Sequence, residues 1–315
     1  MKDLVVGVHI GAATAAQLVA GIVAAEAAGI DCAWLTSGGM APDPLAVFSA
    51  AAMKTGRITL GTCIIPTFPR HPLAMAQGAL AVDSLAPGRL RLGVGPSHQV
   101  SVEPMYGIPF ERPLEHLREY LTVLKGILGE GKIQHEGKRL TARAQIARPT
   151  GVTVMASALR PNGFRLCGEL ADGAISWVCP LPYLRDVAVP ALREGAAKAG
   201  RPAPPLIAHV PVVVSEDLAS VREAAKRQIG FYPRVPYYSQ MFQDAGFPEA
   251  KEGQLSDRMI DALVVHGSAD GVKARLRELP SFGAAELLAM PILPAGDGEA
   301  LARTLRVLGE LAGEA

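Results

Sequence analysis

His9, Thr36, Ser37, Cys63, His71, Ser97, His98, Glu103, Ser157, Arg160, Trp177 and Cys179 are the side chains whose type and place suit chemistry. Each stands at the end of a short apolar run or in the loop after one. Their types exclude more than they specify. No carboxylates and histidines are spaced as metal ligands, no lysine ends an apolar run as a Schiff-base former would, and the two-carboxylate pair of glycosidases is missing. Cys32, Cys63, Cys167 and Cys179 are scattered without metal-ligand spacing and read as reduced thiols of a cytosolic protein. Gly93-Val-Gly95 lacks the third glycine of a dinucleotide fingerprint, because His98 stands in its place. A site poor in reactive groups but lined with small residues suits a protein that takes its chemistry from an organic cofactor.

The elements that must hold these residues follow one rhythm. Ile58 to Ile65 is a β-branched apolar run of the kind that forms a strand buried on both faces, and it stops at Pro66. After the proline-rich loop Thr67 to His71, a helix from Pro72 to Leu85 opens on proline and ends at Pro87-Gly88. Arg89 to Val94 is the next strand, and Gly95-Pro-Ser-His98 its exit loop. The same alternation gives strands at Leu4 to Val8, Cys32 to Leu35, Val152 to Met155, Gly173 to Trp177, Leu206 to Val214 and Ala285 to Met290. Helices are expected from Thr14 to Gly29, Pro44 to Lys54, Pro113 to Leu128, Pro161 to Gly168, Tyr183 to Ala199, Leu218 to Ile229, Asp257 to Val265, Ser268 to Leu279 and Glu299 to Leu311. Leu114, Leu117, Leu121, Leu124 and Leu128 mark one buried face. A hairpin over Ile133 to Leu140, centred on Glu136-Gly137, interrupts the series. Eight strand-helix pairs favour a (β/α)8 TIM barrel over a doubly wound sheet: a single domain over 1–315 with insertions near 99–112, 130–150 and 231–256. The last insertion, rich in Tyr, Pro and Gln, either covers a site or makes a surface or subunit contact.

With 315 residues the chain can bury a large core, and at a net charge of +1 with no basic stripe it carries no electrostatic footprint for nucleic acid. The uncharged run from Leu4 to Ala25 could pass for a targeting or membrane segment. His9, Thr14, Gln17 and three glycines argue instead for a strand, a loop and a capped helix, so no membrane partner is expected.

Gly88-Arg-Leu-Arg-Leu-Gly-Val-Gly-Pro-Ser-His98, Leu60 to Pro72, Ala76-Gln77, Arg112 to Leu121, Gly168 to Gly173 and Gly267 to Val272 together resemble the bacterial luciferase-like monooxygenase superfamily, within it the branch of oxidoreductases that use the deazaflavin coenzyme F420. The resemblance implies a luciferase-like barrel, a hydride exchanged between F420 and a small-molecule substrate, and a homodimer. It also implies a non-prolyl cis peptide joining Cys63 to Ile64 behind the tricyclic ring, and a phosphate held by the loop Ala156-Ser-Ala-Leu-Arg160. Glycines usual in that loop are replaced here by Leu159 and Arg160, and Arg160 is the residue that would pair with the phosphate instead. The implied cofactor contacts are Thr36, Thr62, Cys63, Ile64, Gly95, Ser97, His98, Met155, Ala156, Ser157, Ala158, Leu159, Arg160 and Trp177. His98 is the leading candidate for ring contact or proton donation, with a purely structural loop histidine as the alternative. Trp177 either walls the cofactor tail or fills the barrel, Glu103 reads as a solvated loop charge, and His71 as a helix cap or supporting residue. An FMN-dependent monooxygenase and a flavin-binding protein without turnover are the rival readings.

Overall fold

Each apolar run set between helices becomes a parallel strand, and eight of them close a ring. In the computed structural model, which describes residues 4–314, these are β1 (Val5–His9), β2 (Cys32–Leu35), β3 (Thr59–Thr62), β4 (Leu90–Gly95), β5 (Thr153–Ser157), β6 (Ala174–Ile175), β7 (Leu206–Val214) and β8 (Ala284–Pro291). Neighbours pair in parallel in that order, and β8 pairs with β1 to complete a (β/α)8 barrel. Burial on both faces is why the strands read as nearly unbroken apolar runs: all nine residues of β7 are buried.

Side chains fill the ring in layers. Near the amino ends of the strands a partly exposed Arg91 pairs with the buried Glu286. Above them Trp34, Met155, Ile175, Ile207 and Leu288 pack with Cys32 and Cys63. Trp34 fits because Gly7 and Gly61 flank it; a methyl group at either would come within 2.4 Å of the indole. A second, larger core lies between strands and outer helices. Those helices start where the sequence supplies caps: Thr14, Asp43, His71, Ser256 and Ser268 each accept a first-turn amide. None of the four cysteines is bridged, and all are buried.

Several expectations are corrected. The ladder of β3 stops at Thr62 instead of running to Ile65, at a Cys63–Ile64 peptide that is cis as the resemblance implied, and pairing resumes where Ile65–Pro66 meets Val94 and Gly95. Across the gap the Thr62 hydroxyl replaces the ladder, donating to the Gly93 carbonyl at 2.7 Å and accepting its amide at 2.8 Å. The hairpin is longer than expected, pairing Lys132–Glu136 with Thr141–Gln145. Its turn is displaced because Glu119, on a neighbouring helix, accepts the amides of Lys138, Arg139 and Leu140. The loop expected after His98 is a helix, Gln99–Tyr106, since Pro104 forfeits one donor only and left-handed Gly107 closes the turn. Leu114 leaves the predicted apolar face and is 40% exposed, while Tyr120 joins that face and donates to the Arg70 carbonyl at 2.8 Å. The helix expected to reach Val265 ends at Leu263, and Val265–Gly267 adds a short strand beside β7. The 231–256 insertion folds as the helix Pro236–Asp244 between two 3-10 turns, Tyr232–Arg234 and Pro248–Glu252. Among the described residues no helix is long and apolar enough to cross a membrane.

Candidate active site

At the carboxyl ends of the strands the barrel opens into a cavity of about 1160 Å³. Thr36, Cys63, Ile64, Ser97, His98, Ser157, Ala158, Leu159, Arg160 and Trp177 line it, together with His9 and Ser37. Four of the residues named from sequence as cofactor contacts do not reach it. The Thr62 hydroxyl is taken up by Gly93, Met155 packs inside the barrel, and Ala156 is buried in the outer core. Gly95 lies beneath the lining, where a methyl group would stand 2.1 Å from Ser157 Oγ and 3.2 Å from Ile64 Cγ1. His71 also sits elsewhere: its Nδ1 caps Leu73 at 3.2 Å and its Nε2 meets the Thr141 carbonyl at 3.1 Å. Glu103 accepts the Phe110 amide at 3.0 Å on the surface, and Cys179 is buried with its thiol donating to the Trp177 carbonyl.

Among the described residues three other than glycine hold left-handed backbone, and all belong to this end of the barrel: Ser97 at φ 64°, Arg112 at φ 46° and Val178 at φ 50°. Such conformations persist only where their surroundings enforce them. At Val178 the enforcing group is visible. Its amide donates to His209 Nδ1 at 3.1 Å, and the His209 ring stacks on Trp177 with centroids 3.8 Å apart. Trp177 Nε1 in turn donates to the Tyr232 hydroxyl at 2.5 Å. A buried histidine and a tyrosine from the insertion thus fix this indole at the cavity wall.

Because His209 Nδ1 accepts a backbone amide, the neutral ring carries its proton on Nε2. Burial first, then nearby His9, pushes His209 well below the usual histidine range. Burial also lowers His9 to about 4, and its Nε2 lies 3.2 Å from Thr36 Oγ1. His98 is lowered by burial as well, and its ring meets Tyr238 edge-on at 5.5 Å. Near pH 7 the cavity therefore offers neutral imidazoles, able to hydrogen-bond but carrying no charge. The Cys63 thiol is pushed far up by burial and is no nucleophile. Among the described residues no three His, Cys, Asp or Glu side chains converge as a metal site requires.

Ser157 to Arg160 line the cavity at the end of β5. Arg160 is the residue before the helix Pro161–Leu170; Pro161 has no amide and the Gly163 amide donates to the Arg160 carbonyl at 2.9 Å, which leaves the Asn162 amide as the first-turn donor without an intrahelical acceptor. Arg160 Nη2 donates to Asp244 of the insertion at 3.1 Å, and its Nε is buried without a partner. An unused guanidinium donor at a helix start suits an oxyanion. The residues therefore fit a flavin-like cofactor: an apolar bulge for a ring, a start-of-helix loop for a phosphate, and more volume than the roughly 300–1,000 Å³ of ordinary small-molecule pockets. Sequence reading missed His209, Phe231, Tyr232, Tyr237 and Tyr238; the tyrosine-rich composition of 231–256 was the signal for the last four.

The chain matches the family model described as luciferase-like monooxygenase over residues 4–286. It is 31% identical over 265 residues to the F420-dependent glucose-6-phosphate dehydrogenase of Nakamurella multipartita, covering 78% of this chain and 75% of that one. Its fold is similar to that of an F420-dependent secondary alcohol dehydrogenase solved with an F420-acetone adduct, with a TM-score of 0.82 at 18% identity, covering 99% of this chain and 98% of that one. It is similar also to the oxygenating constituent of 3,6-diketocamphane monooxygenase from Pseudomonas putida solved with FMN, with a TM-score of 0.76 at 18% identity and the same coverage of 99% and 98%. Bulge, cavity and barrel agree with these matches: the chain belongs to the luciferase-like monooxygenase family.

Proposed function

We propose that this chain is an oxidoreductase that exchanges a hydride between coenzyme F420 and a small organic substrate. The observation that carries the proposal is the cavity at the carboxyl ends of the strands, lined by Ile64 and by Ser157 to Arg160, with no cluster of metal-ligating side chains among the described residues. Cys63 and Ile64 would back the ring, and Ser157, Ala158, Leu159 and Arg160 would hold the phosphate. When bound, the reduced deazaflavin supplies two electrons and a hydrogen as hydride. The chain's own part is to exclude water, to orient the substrate and to meet the charge that appears on it.

His98 carries that last role in the proposal. Its neutral imidazole donates a hydrogen bond, and then a proton, to the substrate atom that becomes electron-rich as the hydride arrives; solvent at the mouth returns the proton. Thr36 and His9 orient the same region, and Trp177, held by His209 and Tyr232, closes the wall. FMN is the rival cofactor, and homodimeric assembly belongs to the same proposal. Titration of the apo-protein with F420 and with FMN, followed by fluorescence of each cofactor, tests it: F420 should bind at least tenfold tighter, roughly 1.4 kcal/mol. Tighter binding of FMN, or no saturable binding of F420, overturns it.

A further inference from the structure

We infer that the part of the cavity walled by the 231–256 insertion takes an uncharged, largely apolar, ring-bearing substrate, gripped by the tyrosines of that insertion. The inference deepens the oxidoreductase reading and rests on it only in giving the other part to the cofactor. Its basis is a continuous aromatic wall. Trp177 donates to the Tyr232 hydroxyl at 2.5 Å, the Tyr232 and Tyr238 rings lie 4.6 Å apart, and Tyr238 meets the His98 ring at 5.5 Å. This wall bridges the exits of β6 and β4 and passes through the insertion on the way. Aromatic faces of this kind hold flat apolar molecules through shape and quadrupole contacts.

The rim extends the same character outward. Met105, Tyr106, Leu114, Phe231 and Tyr237, between 40% and 49% exposed, all line the one mouth. Exposed apolar side chains scattered singly need no explanation, but five converging on a cavity mark a binding surface. Charge is balanced against an ionic substrate. Of the two arginines of the lining, Arg112 is matched by Glu115 at 3.3 Å, and Arg160, beside Asp244 at 3.1 Å, is the one already given to the cofactor phosphate. A carboxylate or phosphate ester placed by the tyrosines would be desolvated with no free cation to meet it. Neutral imidazoles at His9 and His98 match a carbonyl or hydroxyl group instead.

The test uses the full chain and a neutral naphthalene ketone, 2-propionyl-6-dimethylaminonaphthalene, whose emission moves to shorter wavelength when it leaves water. It is titrated with and without saturating F420, each cofactor affinity being measured separately. Saturable blue-shifted binding that persists with F420 present is expected. Neutral 2-acetonaphthone should displace the dye, and 2-naphthoate should need roughly ten times the concentration or more, since its charge is buried unpaired. The Phe231→Ala/Tyr237→Ala variant, altered only at half-exposed positions, should bind the dye about fivefold to tenfold more weakly and F420 as before. Displacement of the dye by F420, equal displacement by 2-naphthoate, or unchanged dye affinity in the variant overturns the inference. Failure of F420 to bind while the dye behaves as expected supports this inference and overturns the cofactor reading.

Discussion

Gly95→Ala tests whether the wall at Ser157 is packed as tightly as its geometry states. The added methyl would lie 2.1 Å from Ser157 Oγ and 3.2 Å from both Ser157 Cβ and Ile64 Cγ1. Rotating the serine hydroxyl removes the worst contact only; the two contacts at 3.2 Å require the end of β5 or the Ile64 bulge to move. Overpacking of this kind costs about 1–3 kcal/mol, and the loss of glycine freedom in the unfolded chain returns roughly 0.4–1 kcal/mol, for a net loss near 0.5–2 kcal/mol. Unfolding entropy of ~2.1 cal/mol/K per residue over 315 residues is ~0.66 kcal/mol/K, so Tm should fall by about 1–3 °C in scanning calorimetry. Ser157→Gly deletes both the hydroxyl and the Cβ, so the double variant should regain most of the loss, a coupling of about 1 kcal/mol. Because Ser157 lines the cavity and Gly95 does not, F420 affinity should drop in Gly95→Ala through displacement of the 157–160 loop. Unchanged Tm in Gly95→Ala, or strict additivity with Ser157→Gly, refutes the reasoning.

The other predictions concern charge and protons. His9 titrates at about 4 in the folded chain against an ordinary 6.5, and His98 and His209 shift the same way. The unfolded chain therefore takes up protons first as pH falls: stability is complete above about 6.5 and is lost toward 4, at up to ~1.4 kcal/mol per pH unit per histidine. Urea midpoints across that range measure the slope, which His9→Phe should reduce by one proton. Glu286→Gln leaves Arg91 beside it without its carboxylate, at a site where Glu286 is 3% exposed. A loss of about 3–5 kcal/mol in urea unfolding is expected, recovered largely by Arg91→Met/Glu286→Leu. Arg160→Ala should weaken F420 binding by the ~1.5–3 kcal/mol of a charge-assisted bond. Asp244→Asn, removing only the half-exposed partner, should change stability by no more than ~0.5 kcal/mol in urea unfolding. His98→Asn should lower kcat about 10²-fold or more while F420 affinity, measured by fluorescence, stays near that of the unaltered chain.

The barrel was readable because each strand is buried on both faces, so apolar runs bounded by proline and glycine could simply be counted. Which of the named side chains reach the cavity follows from strand alternation. Naming Met155, Ala156 and Ser157 together ignores that successive side chains point to opposite faces. Met155 turns into the barrel and Ala156 toward the helices, and Ser157, at the strand's end, reaches the cavity. His209 was illegible for another reason: it lies in the middle of a nine-residue buried strand, and its partner is the backbone of Val178, 31 residues away. Only a fold brings a left-handed amide to that imidazole. Tyr232 and Tyr238 were equally non-local, although the composition of their segment pointed to a cover.

These placements divide the labour of the site between rigid and variable parts. Everything proposed to touch the cofactor stands on barrel strands or directly after them: Ile64 on the bulge, Ser157 at the end of β5, and Arg160 at a helix start. Their positions are set by core packing, with Trp34 filling the space between Gly7 and Gly61 below them. Most of what is proposed to choose the substrate stands on two excursions, Gln99–Tyr106 and 231–256, joined by His9, His98, Leu114 and Trp177 from outside them. The two parts meet at Trp177 with Tyr232, His98 with Tyr238 and Arg160 with Asp244, among other contacts. A barrel so organised can change what it reduces or oxidises by altering Phe231, Tyr232, Tyr237 and Tyr238 without disturbing the cofactor half, provided that a hydrogen-bond acceptor for the Trp177 indole is kept.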